Sequence, residues 1–187
     1  IFRSSKIRSF EFCSEFIINA STIRSERAAV RAMRPRPRLQ GEEMPDRHME
    51  LIVLRACDER IPRLFLKRWL AEITRELSKS NLLVSAKKQL RSAKTLTLVF
   101  VSESEMQRLN FEFRKKNKTT DVLSFAPTDS DSLGELVLAP TVIRRQAIDH
   151  GLTFRDELGY MTLHGVLHLL GYEHEKSEAA SRRMLQL

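Results

Sequence analysis

Three of the five histidines fall within eleven residues, in His164-Gly-Val-Leu-His168-Leu-Leu-Gly171-Tyr-Glu-His174. Neutral imidazole is the commonest protein ligand for zinc and related divalent ions. On an α-helix, residues four apart lie one turn apart on one face, so His164 and His168 can reach the same ion. Gly171 comes three residues later, where a glycine takes positive φ and ends a helix in a tight turn, letting His174 return toward the same point. A histidine pair at this spacing is often no more than a surface pair or two satisfied core residues. Here Met161, Leu163, Val166, Leu167, Leu169 and Leu170 surround it with apolar side chains, so burial is expected, and buried imidazoles need partners to offset desolvation. Three histidines and an open fourth position is how catalytic zinc is usually held, whereas a structural zinc has four protein ligands. No fourth His or Cys is near, and Glu173 and Glu175 are the carboxylates at hand. The expectation is one divalent ion per chain on His164, His168 and His174, zinc first, although three imidazoles also accept nickel, cobalt or copper.

The spacing H-x-x-x-H-x-x-G-x-x-H is that of the metzincin metalloproteases, in which a Glu directly after the first histidine is the general base. That position is Gly165 here. Glycine cannot take a proton from an attacking water, so a hydrolase of peptides would lack its base.

The elements that must position these residues follow from patterning. Leu51-Ile-Val-Leu54 reads as a strand, and Pro62 opens an amphipathic helix through Phe65, Trp69, Ile73 and Leu77. The polar segment from Ser80 to Ser92 has no clear assignment. Leu96 to Val101 is a β-branched strand, and Ser102 with Glu105 forms a capping box for a helix through Met106, Leu109 and Phe113. A basic loop, Lys115-Lys-Asn-Lys118, leads to a strand over Asp121 to Phe125, a turn ending at Gly134 and a short strand from Glu135 to Leu138. Pro140 and Gly151 bracket another helix. Thr153 caps the histidine helix, which runs to about Leu170. About four strands and four helices, strands mostly early and helices late, predict a single α+β domain: a mixed sheet covered by helices, with the metal site on a late buried helix and the turn after it.

At this point the chain resembles a known family. His164 to His174 is similar to the H-G-x-L-H-L-x-G-Y-D-H signature of the YbeY family of bacterial endoribonucleases and ribosomal-RNA maturation factors. Leu109-Asn110-x-x-Phe113-Arg114-Lys115, followed by Thr120-Asp-Val-Leu-Ser-Phe125, resembles a second signature, and Gly134-Glu135-Leu-Val a third. The family usually has Asp where this chain has Glu135 and Glu173, which could shift hydrogen bonds to the ligands. The resemblance implies a zinc-dependent endoribonuclease that cuts single-stranded RNA, in 3′-end maturation of small-subunit ribosomal RNA and in ribosome quality control. By position alone Arg114 reads as a solvated arginine at a helix end. The resemblance makes it the second catalytic residue beside His164, since a planar guanidinium suits bidentate phosphate contact. Lys115 and Lys116, extended by Lys118, would contact the RNA backbone, and Ser124 would line the cleft. Asp121 is expected to orient a ligand histidine or Arg114. Two rivals remain at this stage: a non-catalytic ribosome assembly factor with a structural metal, and a metal-dependent hydrolase of peptides.

The chain of 187 residues is 42% hydrophobic, enough to build a core, with a formal charge of +8 and a pI near 9.9. Such a surface favours polyanionic partners, although excess Lys and Arg can also serve solubility alone. Residues 1 to 48 contain ten Lys or Arg and six Asp or Glu, lack apolar periodicity and include Arg34-Pro-Arg-Pro-Arg38. They are expected to lie outside the fold, as an over-extended start first, or else a disordered basic arm or an organellar presequence. The domain is expected over 49–187, with 22 basic and 18 acidic residues, a net of +4. Cys13 and Cys57 form no C-x-x-C pattern, which suits a reducing compartment and excludes a cysteine zinc knuckle. No segment approaches ~18 uninterrupted apolar residues. RNA, the ribosome and a cytoplasmic location are the expected context, with no membrane and no DNA partner.

Overall fold

The computed structural model describes residues 49–172. In chain order the elements are β1 (Glu50–Ala56), α1 (Arg63–Lys79), α2 (Val84–Ser92), β2 (Thr95–Val101), α3 (Glu103–Arg114), β3 (Val122–Phe125), β4 (Ser132–Leu138), α4 (Pro140–Asp149) and α5 (Phe154–Leu169). The sheet has the order β1-β2-β4-β3, with β1, β2 and β4 parallel and β3 antiparallel to β4. The mixed α+β sheet is as expected. The fifth helix, α2, occupies the segment that carried no assignment; only Ala86 and Leu90 of it are buried.

Alternation along the strands sends side chains to two separate clusters. Leu96, Leu98, Phe100, Leu136 and Leu138 join α1, α2 and α5 in the larger one. Val99, Val101, Leu123 and Val137 join Met106 and Leu109 of α3 in the smaller. The helix opened by Pro62 buries Leu66, Trp69, Leu70, Ile73 and Leu77. Its indole Nε1 donates to Gly159 O at 2.8 Å, and a Cβ on Gly159 would already lie 3.2 Å from that ring. This close approach docks α1 on α5.

Ser102 caps α3 by accepting from the Glu105 N–H at 3.2 Å, but the Glu105 carboxylate pairs with Arg108, so the capping box is half made. Strand β4 begins three residues before the expected Glu135. Thr95 and Thr97 of β2 pair with Ser132 and Glu135, so β4 holds one extra residue there, a bulge with Gly134 at φ +130. The glycine read as the end of a turn is a kink inside the strand. A Cβ on Gly134 would sit 2.5 Å from Phe125 O and 2.8 Å from Leu169 Cδ2, and one on Gly165 2.7 Å from Leu136 Cδ2. These two glycines let α5 lie close on the sheet, antiparallel to β4.

Candidate functional site

Thr153 starts α5 by accepting from the Asp156 N–H at 3.3 Å. The helix is apolar on almost every side, and His164 and His168 in its last two turns are only 7% and 5% exposed. Their Nε2 atoms are 2.8 Å apart and the rings nearly perpendicular, at 85° with centroids 4.3 Å apart. The Tyr160 ring stacks on His164 from one turn earlier. Two imidazoles on one tetrahedral zinc, with Zn–N of about 2.0–2.1 Å, hold their nitrogens about 3.3 Å apart, so the pair needs to open by only about 0.5 Å to share an ion. The donors therefore fit a borderline divalent metal.

Beyond them Gly171 takes φ +85. Its N–H donates to His168 O at 2.9 Å, and the Tyr172 N–H to Leu167 O at 3.0 Å. This is the paired bonding of a Schellman cap, which reverses the chain at the glycine as its position predicts. The Tyr172 hydroxyl accepts from the Leu83 N–H at 2.9 Å, fixing the exit of the turn against the entry to α2. His174, the third expected ligand, lies outside the described residues, as do Glu173, Glu175 and residues 1–48. Among the described residues alone no group of three His, Cys, Asp or Glu gathers.

Gly165, at the position of the metzincin base, faces Leu136 of the sheet rather than the histidine side. A glutamate there would have to enter the core, so the helix holds its histidines without that base.

Arg114 is the last residue of α3 and is half-buried. Lys115 follows at φ 58, an unusual left-handed position for a non-glycine residue, with its ammonium donating to Glu112 O at 3.1 Å. Lys116 is half-buried, and Lys115 and Lys118 are exposed. The loop is closed by Asn110, which is 1% exposed and donates from Nδ2 to Lys118 O at 2.6 Å. Gln107 adds a bond to Asn117 at 3.0 Å. No role for Asn110 follows from the sequence alone; its one signal there is a polar residue on the apolar face between Met106 and Phe113.

The two halves reach the same stretch of sheet from opposite faces. Phe113 packs edge-on against Phe125 with centroids 5.0 Å apart, while Leu169 closes on Gly134 from the other side. Ser124 is opposite Leu136 and so shares the face covered by α5. The Asp121 carboxylate, expected to orient a ligand histidine or Arg114, is bonded instead to its own loop and to α4. Its Oδ1 accepts from the Val122 N–H at 2.7 Å and the Thr120 hydroxyl at 3.2 Å, and its Oδ2 from the Gln146 amide at 3.0 Å. It sits at the junction of loop and strand, where its nearest donors are the start of β3 and the side of α4.

Comparison with known proteins agrees with these motifs. A family model described as Endoribonuclease YbeY matches residues 58–187, a span that takes in Arg114, Ser124, His164, His168 and His174. Endoribonuclease YbeY of Bdellovibrio bacteriovorus is 48% identical over 136 residues, covering 73% of this chain and 88% of that protein. The Staphylococcus carnosus protein of the same name is 38% identical over 116 residues, covering 56% and 75%. A solution structure of a Thermotoga maritima protein covers 70% of this chain and 78% of its own, at 28% identity and a TM-score of 0.43.

Proposed function

The chain belongs to the YbeY endoribonuclease family, and from that premise we propose that it is a zinc-dependent endoribonuclease cutting single-stranded RNA. We place it in 3′-end maturation of small-subunit ribosomal RNA and in ribosome quality control, in the cytoplasm. The observation that carries the metal-dependent part is the convergence of two buried imidazoles, 2.8 Å between Nε2 atoms, on the last turns of a helix that ends in a Schellman cap.

His164, His168 and His174 would hold the ion, which when bound supplies a Lewis acid for the scissile phosphate and its attacking water. Arg114 presents a planar guanidinium to the non-bridging oxygens, where negative charge builds. Lys115 and Lys116 contact neighbouring phosphates, and Asn110 keeps their loop in one conformation, so less order has to be gained when RNA binds. Ser124, on the α5 face of β3, would line the substrate cleft.

The test is cleavage of a labelled single-stranded RNA with and without chelator. Loss of cutting in chelator and its return with zinc is the expected result. A folded, zinc-loaded chain that cuts neither this RNA nor ribosomal substrates overturns the reading.

A further inference from the structure

Helix α2 has so far only a packing role. From Ser78 to Ser102 the chain carries Lys79, Lys87, Lys88, Arg91 and Lys94 and no Asp or Glu. Lys79 and Lys94, toward the ends of this stretch, pair with Glu76 and Asp131. On α3 and α4 the cations are compensated as well: Arg108 bonds Glu105 and Glu112, Arg144 bonds Glu59, and Arg145 bonds Glu103. Lys87, Lys88 and Arg91 have no ion pair among the described residues. Lys87 and Arg91 are four apart and Lys88 and Arg91 three apart, so the three share one side of the helix, turned away from buried Ala86 and Leu90.

Helix α2, which carries the patch, has a fixed place beside the site. Gln89, on the other side of α2 from these cations, donates from Nε2 to Leu169 O at 3.2 Å, and Leu169 is the residue after His168, so the cations face outward from the histidine helix. The Leu83–Tyr172 bond ties the start of α2 to the turn that follows.

We infer that the Lys87–Lys88–Arg91 face of α2 is a second contact for the RNA phosphate backbone, separate from the Arg114 loop and on the outer side of a helix docked to the end of the histidine helix. This rests on the endoribonuclease reading and extends it from where the strand is cut to how a longer strand is held. No aromatic residue lies on α2, so the contact reads phosphate and not base.

The test uses the full chain carrying Lys87→Gln, Lys88→Gln and Arg91→Gln together, with a matched Tm. On a long single-stranded RNA the expected result is a KM raised about tenfold with kcat kept. Removing three phosphate contacts to a single strand should also make the salt dependence of binding shallower by about 2 in log–log slope. A trinucleotide, too short to span both contacts, should be cut equally by both proteins. An unchanged KM and salt slope on long RNA overturns the inference while leaving the nuclease reading intact, and so does an equal loss on the trinucleotide. Wild-type protein that neither binds nor cuts RNA removes the nuclease reading, and this inference with it.

Discussion

Around His164 and His168 the chain is held by packing, with both rings buried, Gly165 against Leu136 and Leu169 against Gly134. From Arg114 to Lys118 it is held by hydrogen bonds over a largely exposed surface, with one buried side chain, Asn110, closing the loop. The difference separates two kinds of sensitivity. Substitutions around the histidines should act through the fold, because a close-packed interior has no room to adjust. Substitutions in the loop should act more on chemistry, because its side chains are half-buried or exposed and none is packed in the interior.

The largest effect expected is from Gly134→Ala, which meets both a φ that L residues rarely adopt and a backbone oxygen 2.5 Å away. A loss of about 3 kcal/mol or more is expected from strain and overpacking together, read by chemical denaturation. Gly165→Ala should cost less, about 1–3 kcal/mol, because the obstacle is the Leu136 side chain and not backbone. On the loop side, Asn110→Ala should lower stability by about 1 kcal/mol through the lost bond to Lys118 O. It should reduce RNA cleavage by more than the change in folded fraction, since the loop loses its closure. If cleavage and folded fraction fall together, Asn110 is only a core residue.

The smallest effect should come from Glu103→Gln, far from both halves. The Arg145 guanidinium beside Glu103 holds its carboxyl below the usual carboxylate range. Its stabilisation is therefore present above the unfolded-state value and fades as pH falls through the lower folded one. Thermal melts of wild type and variant should differ slightly at neutral pH and converge in acid, with cleavage unchanged.

How much of this was legible in the sequence differed between the same two regions. The histidine helix announced itself through its cap at Thr153, the i, i+4 histidines and Gly171, each with a local physical meaning that survived folding. Helix α1 was equally plain because Pro62 and Trp69, Ile73 and Leu77 mark its start and buried face. Helix α2 was not, since a short helix with only two buried side chains leaves almost no periodicity to read. Gly134 was misplaced for another reason: a glycine with positive φ inside a strand bulge looks, in one dimension, like the end of a turn. The role of Asn110 depends on a carbonyl eight residues away, and that of Asp121 on Gln146 of α4, contacts that only the fold creates.

The most direct test of the account measures zinc content, Tm and RNA cleavage together in Arg114→Ala and His168→Ala. Arg114→Ala is expected to keep wild-type zinc and Tm but lose cleavage, whereas His168→Ala is expected to lose zinc and cleavage together. Wild-type cleavage by Arg114→Ala, or full zinc occupancy in His168→Ala, would contradict the proposed division between a packed metal site and a hydrogen-bonded phosphate site.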